Sequence, residues 1–67
     1  MNIDQITDRS KLMSIPMLIE MLGITDVNYI DEYTSTHNGY TFKDYINHGF
    51  SEREALENLY VSKMMYL

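Results

Sequence analysis

The sequence contains no cysteine, no tryptophan, one proline and three glycines. Without cysteine there can be no disulfide, no thiolate nucleophile and no cysteine-based zinc site, so the usual cross-links of very small secreted domains are missing. Basic residues are also scarce, because five lysines and arginines stand against ten aspartates and glutamates, for a net charge of −5. Since basic side chains supply most of the attraction to phosphates, we expect neither direct nucleic-acid binding nor binding to a membrane surface.

Long hydrophobic runs are absent as well. The longest one, residues 15–22, is interrupted by Glu20 and is far shorter than the ~20 residues that span a bilayer. The first ten residues show no basic patch followed by an apolar stretch, so we expect no signal peptide and a cytoplasmic location. With 67 residues, 45% of them hydrophobic, the chain is too apolar to be disordered and predicts a single small domain over residues 1–67.

Turn and capping signals divide the chain into helix-sized pieces. Ser14 can cap a helix over residues 15–22, and Pro16 suits its first turn. Gly23 can adopt the left-handed conformation that ends this helix, and Gly49 can end a later helix in the same way. Residues 7–12 predict one further, separate helical turn upstream.

Three capping residues predict the remaining helices. Thr25 can cap a second helix, with Asp26 in its first turn. Thr41 and Ser51 are each followed by an acidic residue three positions later, the pattern of a capping box, and Ser51 opens the longest predicted helix, residues 52–65. The fold class expected is therefore all-α, a compact bundle of three to five short helices.

An alternative fold is α+β, with a hairpin around Asn38 and Gly39. These two residues suit a type I′ turn, which would pair Ser35 with Phe42. Neither face of such a hairpin is cleanly apolar, so the helical spacings are favoured over the strands.

Residues 15–22 are apolar all round except for Glu20, which predicts a helix at the centre of the bundle, with helix 52–65 packed on it. A 67-residue chain cannot cover every side of such a helix, so an apolar face left for a partner is the competing interpretation. The predicted core residues are Ile15, Leu18, Ile19, Leu22, Val27, Ile30, Phe42, Tyr45, Ile46, Phe50, Ala55, Leu56 and Leu59.

Negative charge is concentrated in residues 12–42, which hold Glu20, Asp26, Asp31 and Glu32 but no lysine or arginine. Such a surface can steer the chain toward a basic protein surface, typical of proteins that handle nucleic acid. Tyrosine and methionine, six of each, are enriched at interfaces. The residues predicted to bind a partner are Asp26, Tyr29, Asp31, Glu32, Tyr33, Tyr40, Tyr60 and Met64.

The function predicted is that of a small acidic regulator or inhibitor that binds a protein partner, similar to phage- or plasmid-encoded modulators of host enzymes. His37 and His48 lie eleven residues apart without ligand spacing, so we expect no metal, no cofactor and no enzymatic activity, and His48 suits a helix C-terminus. Two alternatives stay open. Residues 19–25 resemble the first half of a helix-turn-helix regulator, and the apolar end of the last helix, residues 64–67, suits a homodimer.

Overall fold

The computed structural model describes residues 3–66, and the all-α fold class is confirmed within them. The described elements, in chain order, are α1 (Ile3–Lys11), α2 (Ile15–Met21), a 3-10 helix (Val27–Glu32), α3 (Phe42–Asn47) and α4 (Glu52–Met65). The helical turn predicted over residues 7–12 forms the second half of α1 up to Lys11, and Leu12 lies in the turn that follows; α1 is longer than the sequence suggested.

The predicted N-caps of three helices are confirmed. Ser14 Oγ accepts the Met17 amide at 3.2 Å and opens α2. Thr41 and Ser51 form complete capping boxes at the start of α3 and α4. The Thr41 hydroxyl accepts a hydrogen bond from the Asp44 amide, and the Asp44 carboxylate accepts one from the Thr41 amide. Ser51 and Glu54 make the same two bonds in α4. These bonds satisfy amides that have no partner inside the helix.

The second predicted helix starts one residue later than expected and is of another type. Asp26, not Thr25, is its cap, with Oδ1 accepting the Asn28 amide at 2.9 Å. The six residues that follow form a 3-10 helix, which is longer than the roughly three or four residues typical of such helices and serves as a connector between α2 and α3.

The glycine stops at the ends of α2 and α3 share one geometry. Gly23 has φ +78° and Gly49 φ +96°. In α2 the Ile24 amide donates to the Ile19 carbonyl at 3.2 Å, and in α3 Phe50 donates to Tyr45 at 3.1 Å, as in a Schellman motif. The Phe50 and Tyr45 rings meet edge to face, 5.4 Å apart, which supplies the apolar contact that often accompanies this motif.

The central helix is α4, and the prediction that residues 15–22 lie at the centre was wrong. Helix α4 packs against α1, α2 and α3, and it contributes four of the buried apolar side chains, Ala55, Leu56, Leu59 and Tyr60. Only Leu18 of α2 is fully buried, while Met17 and Met21 are exposed. Apolar residues all round α2 thus reflect a helix whose outer side stays uncovered.

Most of the predicted core is buried or packed against the core, with three corrections. Val27, Ile46 and Phe50 are exposed. Val27 and Ile46 lie on short helices that leave one side uncovered, and Phe50 lies in the turn between α3 and α4. The core also includes Ile6 and Met13, which the sequence argument did not place there.

Residues 33–42 reverse direction as the hairpin signal indicated, but they form no strand. A single antiparallel bridge pairs Thr34 with Thr41, two positions away from the register of the alternative fold. The loop is held instead by α4, where the Ser62 hydroxyl lies 2.9 Å from the Ser35 hydroxyl and accepts the His37 amide at 2.8 Å. Both serines are buried, so this polar contact fixes the loop on the helix.

The capping boxes predict how stability responds to acid. Hydrogen bonds from Thr41 hold the pKa of Asp44 below its usual value, and those from Ser51 do the same for the pKa of Glu54. Their stabilisation is therefore complete at neutral pH and is lost as the pH falls below about 4.5 and through the lowered pKa values. We expect thermal melts between pH 7 and pH 3 to show a fall in Tm that is smaller in the variant Asp44→Asn/Glu54→Gln. An equal fall in both proteins would contradict this assignment.

Candidate protein-binding surface

The segment from Asp26 to Tyr33, here called the acidic ridge, is built around the 3-10 helix. None of the six helical residues is fully buried, and the side chains of Val27 and Tyr29 are 60% and 65% exposed. The backbone is nevertheless fixed at both ends, by the Asp26 cap and by the Phe42 amide, which donates to the Tyr33 carbonyl at 2.9 Å. The ridge thus presents exposed side chains from an ordered backbone.

On one side of the ridge lies a shallow depression of about 240 Å³, here called the tyrosine groove. Its lining residues are Ile24, Thr25, Asp26, Tyr29, Glu32 and Tyr33. The Schellman turn after α2 positions the first of them, and the 3-10 helix positions the last four. Four of the eight residues predicted to bind a partner therefore line a single groove.

The tyrosine groove carries negative charge that no ion pair among the described residues compensates. Within residues 3–66 no lysine or arginine lines it, and no ion pair there involves Glu20, Asp26, Asp31 or Glu32. The ion pair that the described residues do form joins Arg53 and Glu57 on α4, at 3.3 Å. Burial raises the pKa of the Tyr33 phenol above its usual value, so this wall of the groove stays neutral at physiological pH.

The other side of the ridge borders a larger depression, here called the isoleucine groove, of about 460 Å³ between the 3-10 helix and α3. Its lining combines the apolar Ile30, Phe42 and Ile46 with Asp31 and Glu52. Lys43 lines it as well, so the charge of this groove is mixed. Asp31 is the predicted partner-binding residue on this side.

The remaining three predicted binding residues lie away from the ridge. Tyr60 is 1% exposed and belongs to the core, so the prediction that it is an exposed anchor was wrong. It follows Leu59 on the helix that turned out to be central, which buries the side chains of both. Met64 is partly buried against the core, and Tyr40 is exposed, with its ring stacked on His48 at 5.6 Å.

Sequence reasoning did not identify two residues that line the tyrosine groove, Ile24 and Thr25, or the exposure of Val27 on the ridge. Ile24 and Thr25 line the tyrosine groove, although only Thr25 was singled out, and as a cap. Gly23 was the sequence signal that could have located these two residues. In a Schellman motif the amide of the residue after the glycine donates back to a carbonyl of the helix, which fixes the direction in which the chain leaves the helix. Val27 was placed in the core, but it extends from the ridge into solvent.

The histidines take structural positions. His48 is the C-cap of α3, as predicted, and the His37 ring stacks on Tyr66 at 4.9 Å. In the part of the chain that the structure describes, no three histidine or carboxylate side chains are grouped as metal ligands would be. Within the same residues, no helix has the length and apolar character needed to cross a bilayer.

No protein-family model, curated protein or solved structure was found to match the chain. The geometry and charge of the acidic ridge are therefore the basis for inferring function.

Proposed function

We propose that this chain is a small acidic regulator or inhibitor that acts by covering a basic surface of a partner protein, of the kind found on proteins that handle nucleic acid. The acidic ridge is the surface that makes the contact. Asp26, Asp31 and Glu32 steer the approach, and Tyr29 is the exposed anchor at its centre. Binding is the whole activity, and no reaction is assigned to the chain.

The observation that carries the proposal is that the ridge carboxylates form no ion pair within residues 3–66. Asp31 and Glu32 are exposed and lack an ion-pair partner among residues 3–66. Two cations of α4 are engaged elsewhere, because Arg53 donates to three backbone carbonyls and Lys63 donates to the Met21 carbonyl at 3.0 Å. Lys43 shares the isoleucine groove with Asp31 but forms no ion pair with it. An uncompensated charge of one sign raises the rate at which an oppositely charged partner associates.

The ridge also favours protein binding over the helix-turn-helix alternative. A helix-turn-helix inserts its second helix into the major groove of DNA. In this chain the corresponding element is a six-residue 3-10 helix whose charged side chains, Asp31 and Glu32, are both acidic. Phosphates would repel it.

The proposal is tested by affinity capture from cells of the source organism with matched charge variants. The ridge variant carries Asp31→Lys and Glu32→Lys, which spares the Asp26 cap. The control carries Asp4→Lys and Asp8→Lys, at two exposed positions of α1. Each replacement raises the net charge by two, so both variants change from −5 to −1.

We expect a partner that is retained by the wild-type chain and by the α1 control but lost from the ridge variant. Because both variants have the same net charge, the difference reports where the charge lies. A partner retained equally by all three proteins would contradict the proposal. So would a partner lost equally from both variants, since overall charge would then explain its binding.

A further inference from the structure

The tyrosine groove combines two kinds of group that recognise a cation. Asp26 and Glu32 contribute carboxylates, and Tyr29 and Tyr33 contribute aromatic rings to the same lining. A guanidinium group satisfies both, because it forms ion pairs with carboxylates and stacks its planar face on aromatic rings. A lysine ammonium is more strongly hydrated and has no plane to stack.

We propose that the tyrosine groove receives an arginine side chain from a loop of the partner protein. This inference rests on the proposed function and names the side chain that the ridge recognises. The groove, at about 240 Å³, is of a size for one long side chain rather than for a helix or a folded domain. Within residues 3–66 no lysine or arginine lines it, so an incoming guanidinium displaces no described partner.

The two carboxylates have different roles in this arrangement. Asp26 Oδ1 already accepts the Asn28 amide at 2.9 Å, which holds the side chain in place as the helix cap. Glu32 is exposed and accepts no hydrogen bond through its side chain within residues 3–66, so its carboxylate is available to a ligand. Asp26 therefore contributes a negative charge at a fixed position, whereas the Glu32 carboxylate can move to meet a ligand.

The tyrosines also differ. Tyr29 is largely exposed, so a ligand can reach its ring and stack on it. Tyr33 is half-buried and packs against the core, so it forms the rigid wall of the groove. Arginine selectivity should depend mainly on Tyr29, because stacking, unlike charge attraction, distinguishes a guanidinium from an ammonium.

The test is an NMR titration of the full chain, labelled with ¹⁵N, with three short peptides. The peptides are blocked at both ends and consist of glycine and serine around a single central arginine, lysine or citrulline. Citrulline has nearly the shape of arginine but no charge. We expect the arginine peptide to shift the amides of residues 25–33 saturably, and to bind about 3-fold more tightly than the lysine peptide and at least about tenfold more tightly than the citrulline peptide.

Variants separate stacking from general attraction. Tyr29→Leu is expected to weaken arginine-peptide binding about 2- to 5-fold and to remove its preference over lysine. Glu32→Gln should weaken both cationic peptides, whereas Glu20→Gln, an exposed carboxylate on α2, should weaken neither. Tyr33→Phe removes the hydroxyl but keeps the ring, so it should preserve binding. This variant shows whether the ring of Tyr33, rather than its hydroxyl, contributes to binding.

Three results would overturn the inference: equal shifts with citrulline, shifts centred outside residues 25–33, or equal affinities for arginine and lysine that Tyr29→Leu leaves unchanged. Each of these leaves the capture experiment with the ridge and α1 variants unaffected. Conversely, saturable arginine binding in the groove together with a partner insensitive to the ridge variant would reject the proposed function alone.

Discussion

Leu56→Ala is expected to remove about half of the stability of this protein. Leu56 is fully buried on α4, the helix that packs against α1, α2 and α3. Truncating a buried leucine to alanine costs about 2–5 kcal/mol, because apolar contacts are lost and a cavity is left. A domain of this length has a free energy of unfolding of about 3–10 kcal/mol in total. Urea denaturation followed by circular dichroism measures the loss.

The matched control is the same substitution at an exposed site. Leu12 lies in the turn after α1 and is 87% exposed, so Leu12→Ala should change the free energy of unfolding by less than about 0.5 kcal/mol. If the two substitutions cost the same, α4 is not the centre of the core and the fold described above is wrong.

Arg53→Ala is expected to cost about 2 kcal/mol, the second largest effect. The guanidinium Nη2 donates to the carbonyls of Ser10, Lys11 and Met13, at 3.3, 3.1 and 2.6 Å. These carbonyls belong to the last turn of α1 and the connection to α2, so a single side chain of α4 joins all three helices. A cation at a helix C-terminus also opposes the negative end of the helix dipole.

The ion pair of Arg53 with Glu57 makes only a small part of this contribution. Its partners are four residues apart on a helix surface, where such pairs contribute about 0.3–0.5 kcal/mol. Glu57→Gln should therefore cost far less than Arg53→Ala. Arg53→Lys should fall between them, because an ammonium keeps the positive charge but is more strongly hydrated and lacks the preorganised donors of a guanidinium. Thermal denaturation compares the three variants. Equal losses from Glu57→Gln and Arg53→Ala would show that the carbonyl contacts contribute nothing.

Local signals in the sequence located the helix ends well. The capping boxes, the Ser14 cap and the glycine stops all depend on residues within five positions of one another, and they lie at Thr41, Ser51, Ser14, Gly23 and Gly49. Such interactions are made by the backbone and its immediate neighbours, so they can be inferred before the tertiary fold is known.

The central helix could not be inferred in the same way. The apolar residues of α2 suggested a buried helix, but burial depends on how many neighbours surround it, and a chain of 67 residues supplies too few. Helix α4 has more polar residues and occupies the centre, with Tyr60 in the core rather than on the surface. Arg53 was counted only as a charge, because its three carbonyl partners lie about 40 residues away in sequence.

The candidate site was predictable in its charge but not in its shape. The absence of cations from residues 12–42 indicated an acidic surface, and the ridge residues lie on it unpaired within residues 3–66. That Asp26, Tyr29, Glu32 and Tyr33 line one groove depends on the 3-10 geometry. In a 3-10 helix, residues three positions apart share a face, which places Asp26, Tyr29 and Glu32 together. In an α-helix, with 3.6 residues per turn, Glu32 would lie about 120° around the axis from Asp26.

The central claim is that this protein acts through contact made by the acidic ridge, and the most direct test is the dissociation constant for the captured partner. Calorimetric titration should show about tenfold or greater weakening for Asp31→Lys/Glu32→Lys, with the difference shrinking as salt is added, because added salt screens exposed charges. The α1 control, Asp4→Lys/Asp8→Lys, should stay within about twofold of the wild-type chain if distant exposed charges are screened. Equal dissociation constants for the two variants would contradict the claim.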